Sequence, residues 1–153
     1  MSWRIERVGR RECIMSLPEV PAKQRPRYDR RNARTYTPTK TLKAEREIKR
    51  QWKRDCGTAN ACFDGEVRVS IEIQRPLSKS NPKFWAGRAD LMKPDADNVA
   101  KVVCDSLNGV AYKDDSQITQ LAVTFSPRVP YGDACLVRVR VEYFRETHVK
   151  EKQ

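Results

Sequence analysis

The chain has one histidine, His148, among 153 residues, and its five cysteines, Cys13, Cys56, Cys62, Cys104 and Cys135, are odd in number and form no C-x-x-C pair. That leaves no zinc-binding spacing and no disulfide framework, so the cysteines read as reduced intracellular thiols. No run of about 18 apolar residues is present, which excludes a spanning helix. The opening MSWRIERVGRRE places charges where a signal peptide needs an apolar stretch. No strongly basic amphipathic helix carries an aromatic face, so an anionic membrane surface is a poor partner. There is no internal repeat.

Positive charge is abundant. Lysine and arginine total 31 against 20 acidic residues, a formal charge of +11 with a pI near 9.7. Such a balance suits a polyanionic partner. The length fits one domain with a modest core.

Two acidic clusters, Asp95/Asp97 and Asp114/Asp115, lie in KPDADNVAKVVCDSLNGVAYKDDSQITQL, from Lys93 to Leu121. Its spacing predicts a helix over 98–107, capped by Asp97 and stopped at Asn108-Gly109. Val99, Val102, Val103 and Leu107 share one face, and Asp97, Lys101 and Asp105 lie on the other. Asp95 and Asp97 project from the same side of the chain just before the helix. The run Val110-Ala111-Tyr112 is expected to return Asp115 beside the helix start, where three carboxylates suit a hard divalent cation. The residues alone leave a second reading open, in which Asp97 caps the helix and Asp114-Asp115-Ser116 is turn chemistry. An EF-hand is excluded, because Ala100 and Ser106 stand where a glycine and a bidentate glutamate are needed.

The same run resembles the signature of the RusA family of Holliday-junction resolvases, K-P-D-x-D-N-x-x-K-x-x-x-D-x-L-N-G-x-x-x-x-D-D-x-Q, without a substitution in the motif. Pro21 to Arg27 and Thr35 to Pro38 are similar to the family's early K-x-R-P-R and Y-T-P elements, and the likeness covers about Cys13 to Phe144. The resemblance implies a homodimeric, metal-dependent endonuclease that cuts four-way DNA junctions. It places metal-binding aspartates at Asp95, Asp97 and Asp115, and a catalytic lysine at Lys101. The metal is expected to be Mg²⁺, with Mn²⁺ able to substitute. Asp105 is either a partner of Lys101 by i,i+4 pairing or a plain solvated ion-pair member. Localisation is expected in the cytoplasm of a bacterial or phage-infected cell, and a phage or prophage origin is in keeping with the family. Two rivals stay open: a catalytically silent module that binds branched DNA, and a nuclease for flaps or other branched DNA.

Elsewhere the chain divides into a basic arm over 1–11, a RusA-like domain over 12–145 and a polar, frayed tail over 146–153. The arm is either an extra strand or loose chain, and Cys13–Leu17 reads as the first strand. PAKQRPRYDRRNARTYT, residues 21–37, is either a disordered basic linker or a DNA-binding loop, with Lys23, Arg25 and Arg27 as phosphate contacts and Tyr28 and Tyr36 placed to stack. A helix over 40–56, capped by Thr37 or Thr39, carries Leu42, Ile48 and Trp52 on a narrow apolar stripe, with Trp52 a core anchor. Val67, Val69, Ile71 and Ile73 alternate as the inner face of a strand. Residues 75–92 read as a DNA-facing lid in which Lys79, Lys83 and Arg88 flank Phe84-Trp85, a candidate wedge. Ile118–Phe125 and Cys135–Phe144 are expected to form an antiparallel hairpin. The fold class is therefore α+β: a single β-α-β-α-β-β domain, a mixed sheet packed with two main helices.

Overall fold

The computed structural model describes residues 2–150. Its strands and helices run β1 (Ser2–Leu17), β2 (Arg27–Asp29), β3 (Arg34–Tyr36), α1 (Thr39–Cys56), β4 (Val67–Gln74), α2 (Ala96–Ser106), β5 (Ile118–Phe125) and β6 (Cys135–Val149). The expected α+β order is present, with the small β2–β3 hairpin added inside the basic stretch. The main sheet is four-stranded and mixed, in the order β1-β6-β4-β5.

The hairpin expected between β5 and β6 is not formed: β4 lies between them, antiparallel to β6 and parallel to β5. The cause is the crossover. A strand that returns through a helix can pair parallel to the strand it left, as β5 does after α2. Burial agrees with this order. Val137, Val139, Val141 and Tyr143 of β6 are fully buried, as a central strand requires, whereas no residue of β5 is.

Only one face of the sheet is covered. Val67, Val69, Ile71 and Ile73 point inward from β4 as expected, and they meet Ile48 and Trp52 of α1 and Val99, Val102 and Val103 of α2 in one core. Leu42 is the exception on α1, being exposed. Neither threonine caps α1. Pro38 holds the N-cap position without a side-chain bond, and its carbonyl accepts Leu42 N–H. Proline's fixed φ suits the entry to a helix.

At the N-terminus the strand alternative holds, and at the C-terminus the expected frayed tail is corrected. Residues 2–11 continue straight into the Cys13–Leu17 strand, making β1 sixteen residues long. Nor is Arg145 the start of a frayed tail, since β6 continues to Val149 and pairs with β1 as far as Ser2. Backbone pairing orders polar sequence here; alternation of apolar residues, the signal that sequence reading follows, stops at Tyr143. Residues 151–153 of the expected tail lie outside the described residues.

Where β1 joins the domain body, α1 covers its outer edge. Gln51 Nε2 donates to Ser16 C=O at 2.8 Å and Gln51 Oε1 accepts Ser16 N–H at 3.0 Å, so one buried amide replaces a neighbouring strand. Gln51→Leu would leave both Ser16 groups unpaired and is expected to cost about 1–3 kcal/mol in urea unfolding.

Candidate active site

Helix α2 opens one residue pair earlier than expected. Asp95, not Asp97, is the N-cap residue, and its side chain makes no capping bond. Its two carboxylate oxygens instead accept Lys93 Nζ at 2.7 and 2.9 Å. Asp97 sits in the first turn and lies 3.7 Å from Lys101 Nζ one turn on, both groups open to solvent. Capping therefore does not account for either carboxylate.

The segment from Val110 to Tyr112 is a buried turn, and it packs by the C-terminal half of α2 rather than its start. Tyr112 Oη donates to Cys104 C=O at 2.7 Å, and Ala111 C=O accepts Tyr143 Oη at 2.6 Å. These bonds set the position of the next acidic pair, whose members divide their roles. Asp114 caps a short 3-10 turn over Asp115–Gln117, with Gln117 Oε1 accepting Asp114 N–H at 2.7 Å and Gln117 Nε2 donating to Phe63 and Gly65 carbonyls. Asp115 is left free of capping and half-buried. Burial pushes its carboxyl up, and the hydrogen bond and negative charge of Asp105, then Asp114, push the same way.

Asp105 thus faces Asp115 and not Lys101. It also forms an ion pair with Lys23, whose Nζ lies 3.5 Å from Glu45 of α1 and whose backbone N–H donates to Asn98 C=O at 3.3 Å. The hydrogen bond that Lys23 donates to Asp105 raises the Lys23 pKa despite partial burial. Lys23, expected as a phosphate contact, is an internal counter-ion in this arrangement. Its neighbours Arg25 and Arg27 are exposed.

Asp97 and Asp105 are separated by about two helical turns, a rise of roughly 12 Å. Accordingly, no three acidic, cysteine or histidine side chains converge as a ready metal cluster among the described residues. The donor chemistry nevertheless fits a hard divalent cation: every candidate ligand is a carboxylate oxygen, and burial together with the negative charge of Asp105 and Asp114, which raise the Asp115 pKa, is what a bound cation would offset.

Two basic segments precede this helix in the chain. β2 and β3 pair Arg27 with Tyr36, and Asp29 closes their turn by accepting Arg31 N–H and Asn32 Nδ2, which rules out a disordered linker. Tyr28 and Tyr36 are exposed. In the 75–92 loop, Lys79, Lys83 and Arg88 are exposed, with Lys83 Nζ bonded to Pro130 C=O at 2.8 Å and 4.5 Å from the Tyr131 ring centre. Phe84 and Trp85 meet edge to face and neither is buried.

Sequence reasoning missed three features. Leu91 and Met92, immediately before Lys93, are exposed, at 91% and 56%. A groove of about 800 Å³ runs between α1 and the chain after β1, lined by Leu17, Val20, Lys43, Arg46, Lys93 and Pro94. The third is Arg75, just after β4. Its guanidinium donates twice to the buried Asp90 carboxylate, at 2.7 and 2.8 Å, and once each to the Met92 and Lys93 carbonyls at 2.9 Å. One side chain thereby closes the 75–92 loop and fixes the backbone leading into Asp95. Only a buried acid at a distance in sequence reveals it, and no local pattern marks Asp90.

Burial raises the Asp90 carboxyl, but the Arg75 bonds, the Met92 N–H and the charges of Arg75 and Arg128 outweigh it, leaving the pKa below the usual value. A depressed folded-state pKa adds stability that is present above about pH 4 and is lost as pH falls through the folded value. Asp90→Asn should cost about 3–5 kcal/mol at neutral pH, because it strands a buried guanidinium. Urea unfolding from pH 7 to pH 3 should show a smaller acid loss in this variant than in the wild type.

Comparison with known proteins agrees with the motif. The family model described as "Endodeoxyribonuclease RusA" matches residues 18–143. A curated relative, "Uncharacterized protein YqaN" of Bacillus subtilis (strain 168), is 40% identical over 68 residues, 39% of this chain and 48% of the relative. The chain thus spans about half of that relative's length. No helix among the described residues is long and apolar enough to cross a membrane. The family match extends from the loop before the basic hairpin to the central strand of the sheet, with the acidic helix face between them, and the chain belongs to the RusA endodeoxyribonuclease family.

Proposed function

We propose that the chain is a divalent-metal-dependent endodeoxyribonuclease that resolves four-way DNA junctions by paired symmetric cuts, one from each copy of a homodimer. The observation that carries this reading is the exposed carboxylate pair Asp95 and Asp97, with Lys101 one turn on, at the start of a helix whose other face is buried. The family match supports the same chemistry and the same class of substrate.

Asp95, Asp97 and Asp115 would hold Mg²⁺ or Mn²⁺, which requires Asp115 to leave Asp105 for the helix start. When bound, the cation supplies an activated water and neutralises the scissile phosphate. The protein's own groups do the rest. Lys101 places a fixed positive charge at the edge of the carboxylates, where it stabilises the charge that builds as the phosphodiester breaks. Asp97, paired with it at 3.7 Å, holds that ammonium near the helix start. Arg25, Arg27, Lys79, Lys83 and Arg88 offer exposed cations to DNA phosphates on either side. Phe84 or Trp85 would serve as a wedge between bases, a role open to exposed rings. Such a nuclease would act where branched DNA arises, in recombination and repair, in the bacterial or phage-infected cytoplasm.

A labelled four-way junction, incubated with Mg²⁺ or with EDTA, tests the reading. Wild type should give paired symmetric nicks only with metal. Asp97→Asn should abolish cutting and leave junction affinity nearly unchanged, because the positive surface is intact. Lys101→Met should slow cutting by about 10²-fold or more with binding retained. Cutting of flap or duplex DNA in preference to the junction would replace the resolvase reading with a flap nuclease. Binding without cutting under any divalent metal would leave a silent module.

A further inference from the structure

Every residue of β1 from Ser2 to Val8, and of β6 from Arg145 to Val149, is exposed. The two strands continue past the core as a free ribbon, and most of it lies outside the family match. Trp3 is 66% exposed, Ile5 50% and Val8 52%. A two-stranded ribbon alone in water is marginal, and a long edge strand with apolar side chains is a pairing template. Near Ser16 that edge is occupied by Gln51. From Ser2 to Val8 it is free.

We infer that this free edge pairs antiparallel with the same edge of a second copy, in the register centred on Ile5, and joins the two sheets into one. The inference deepens the two-copy reading above by giving it an interface. A two-fold axis normal to the sheet presents the same face of both copies, so only residues of like parity can oppose each other. Registers centred on Arg4, Glu6 or Arg7 each set a like-charged pair face to face. The register centred on Trp3 opposes little more than Ser2 and Arg4. Centring on Ile5 opposes Ile5 to itself, sets Arg4 against Glu6 twice and lays Arg7 across Trp3 twice, with no like charges directly opposed. Among the registers centred from Trp3 to Arg7, the strand is thus complementary to itself in one; a register centred on Val8 would run through the bulge. The bulge between Arg7 and Gly9 ends the regular stretch.

Cysteine crosslinking and charge exchange test it. In a Cys62→Ser background, which removes the exposed native thiol, Ile5→Cys should form an interchain disulfide under mild oxidation, since opposed Cα atoms lie about 4.5–5.5 Å apart. Val8→Cys should not, because in this register the two copies of residue 8 are about 20 Å apart. Arg4→Glu and Glu6→Arg should each raise the dimer dissociation constant about tenfold in analytical ultracentrifugation. Mixing the two single variants should restore the affinity as a heterodimer, although each chain still lacks its own Arg4–Glu6 contact. A dimer that persists without the Ile5→Cys crosslink and ignores the charge changes would overturn the interface and point to another surface, such as the β5 edge. A monomer at all concentrations would overturn both the interface and the two-copy reading, whereas the nuclease reading stands or falls on junction cleavage by the same sample.

Discussion

Burial of one side of α2 is the constraint on which the rest of the site depends. Val99, Val102, Val103 and Leu107 are wholly enclosed between the sheet and α1, so the helix cannot rotate without exposing them. With that face fixed, Asp97, Lys101 and Asp105 are held on the opposite side. Chemistry that needs carboxylates in the open would thereby be carried on a rigid element, in a chain whose formal charge of +11 suits a polyanion.

Rigidity is supplied from two further places. Arg75 gathers Asp90, Met92 and Lys93 around one guanidinium, so the long connection between β4 and α2 arrives at Asp95 by a defined path. Asp114 and Gln117 tie the other acidic turn to the Phe63 and Gly65 carbonyls, which leaves Asp115 out of the cap and facing Asp105. Lys23 and Glu45 then link α1 to the Asp105–Asp115 pair. Asp95, Asp97 and Asp105 are thus each paired with a lysine within the fold, and Arg25, Arg27, Lys79 and Arg88 remain exposed.

Much of this was legible in the sequence, and the reasons for the misses are physical. Period-two alternation located β4, and the helical spacing of valines located α2, because burial on one face leaves a periodic trace. The order β1-β6-β4-β5 left none, since which strand lies between β5 and β6 is decided by the crossover and not by either strand's composition. The exposed ends of β1 and β6 were opaque for a related reason: both faces meet solvent, so alternation vanishes while backbone pairing continues. In the site, Asp95, Asp97 and Lys101 were placed by the motif. The Asp105 contacts with Lys23 and Asp115 were not, because they join residues far apart in the chain.

The central claim is that one face of α2, together with the turn at Asp115, collects a divalent cation. Anomalous scattering from Mn²⁺ in crystals of the protein bound to a four-way junction tests it most directly. The account predicts a peak coordinated by Asp95, Asp97 and Asp115 beside a DNA phosphate. A peak held by other carboxylates, or none at saturating Mn²⁺ while the junction is cut, would contradict it.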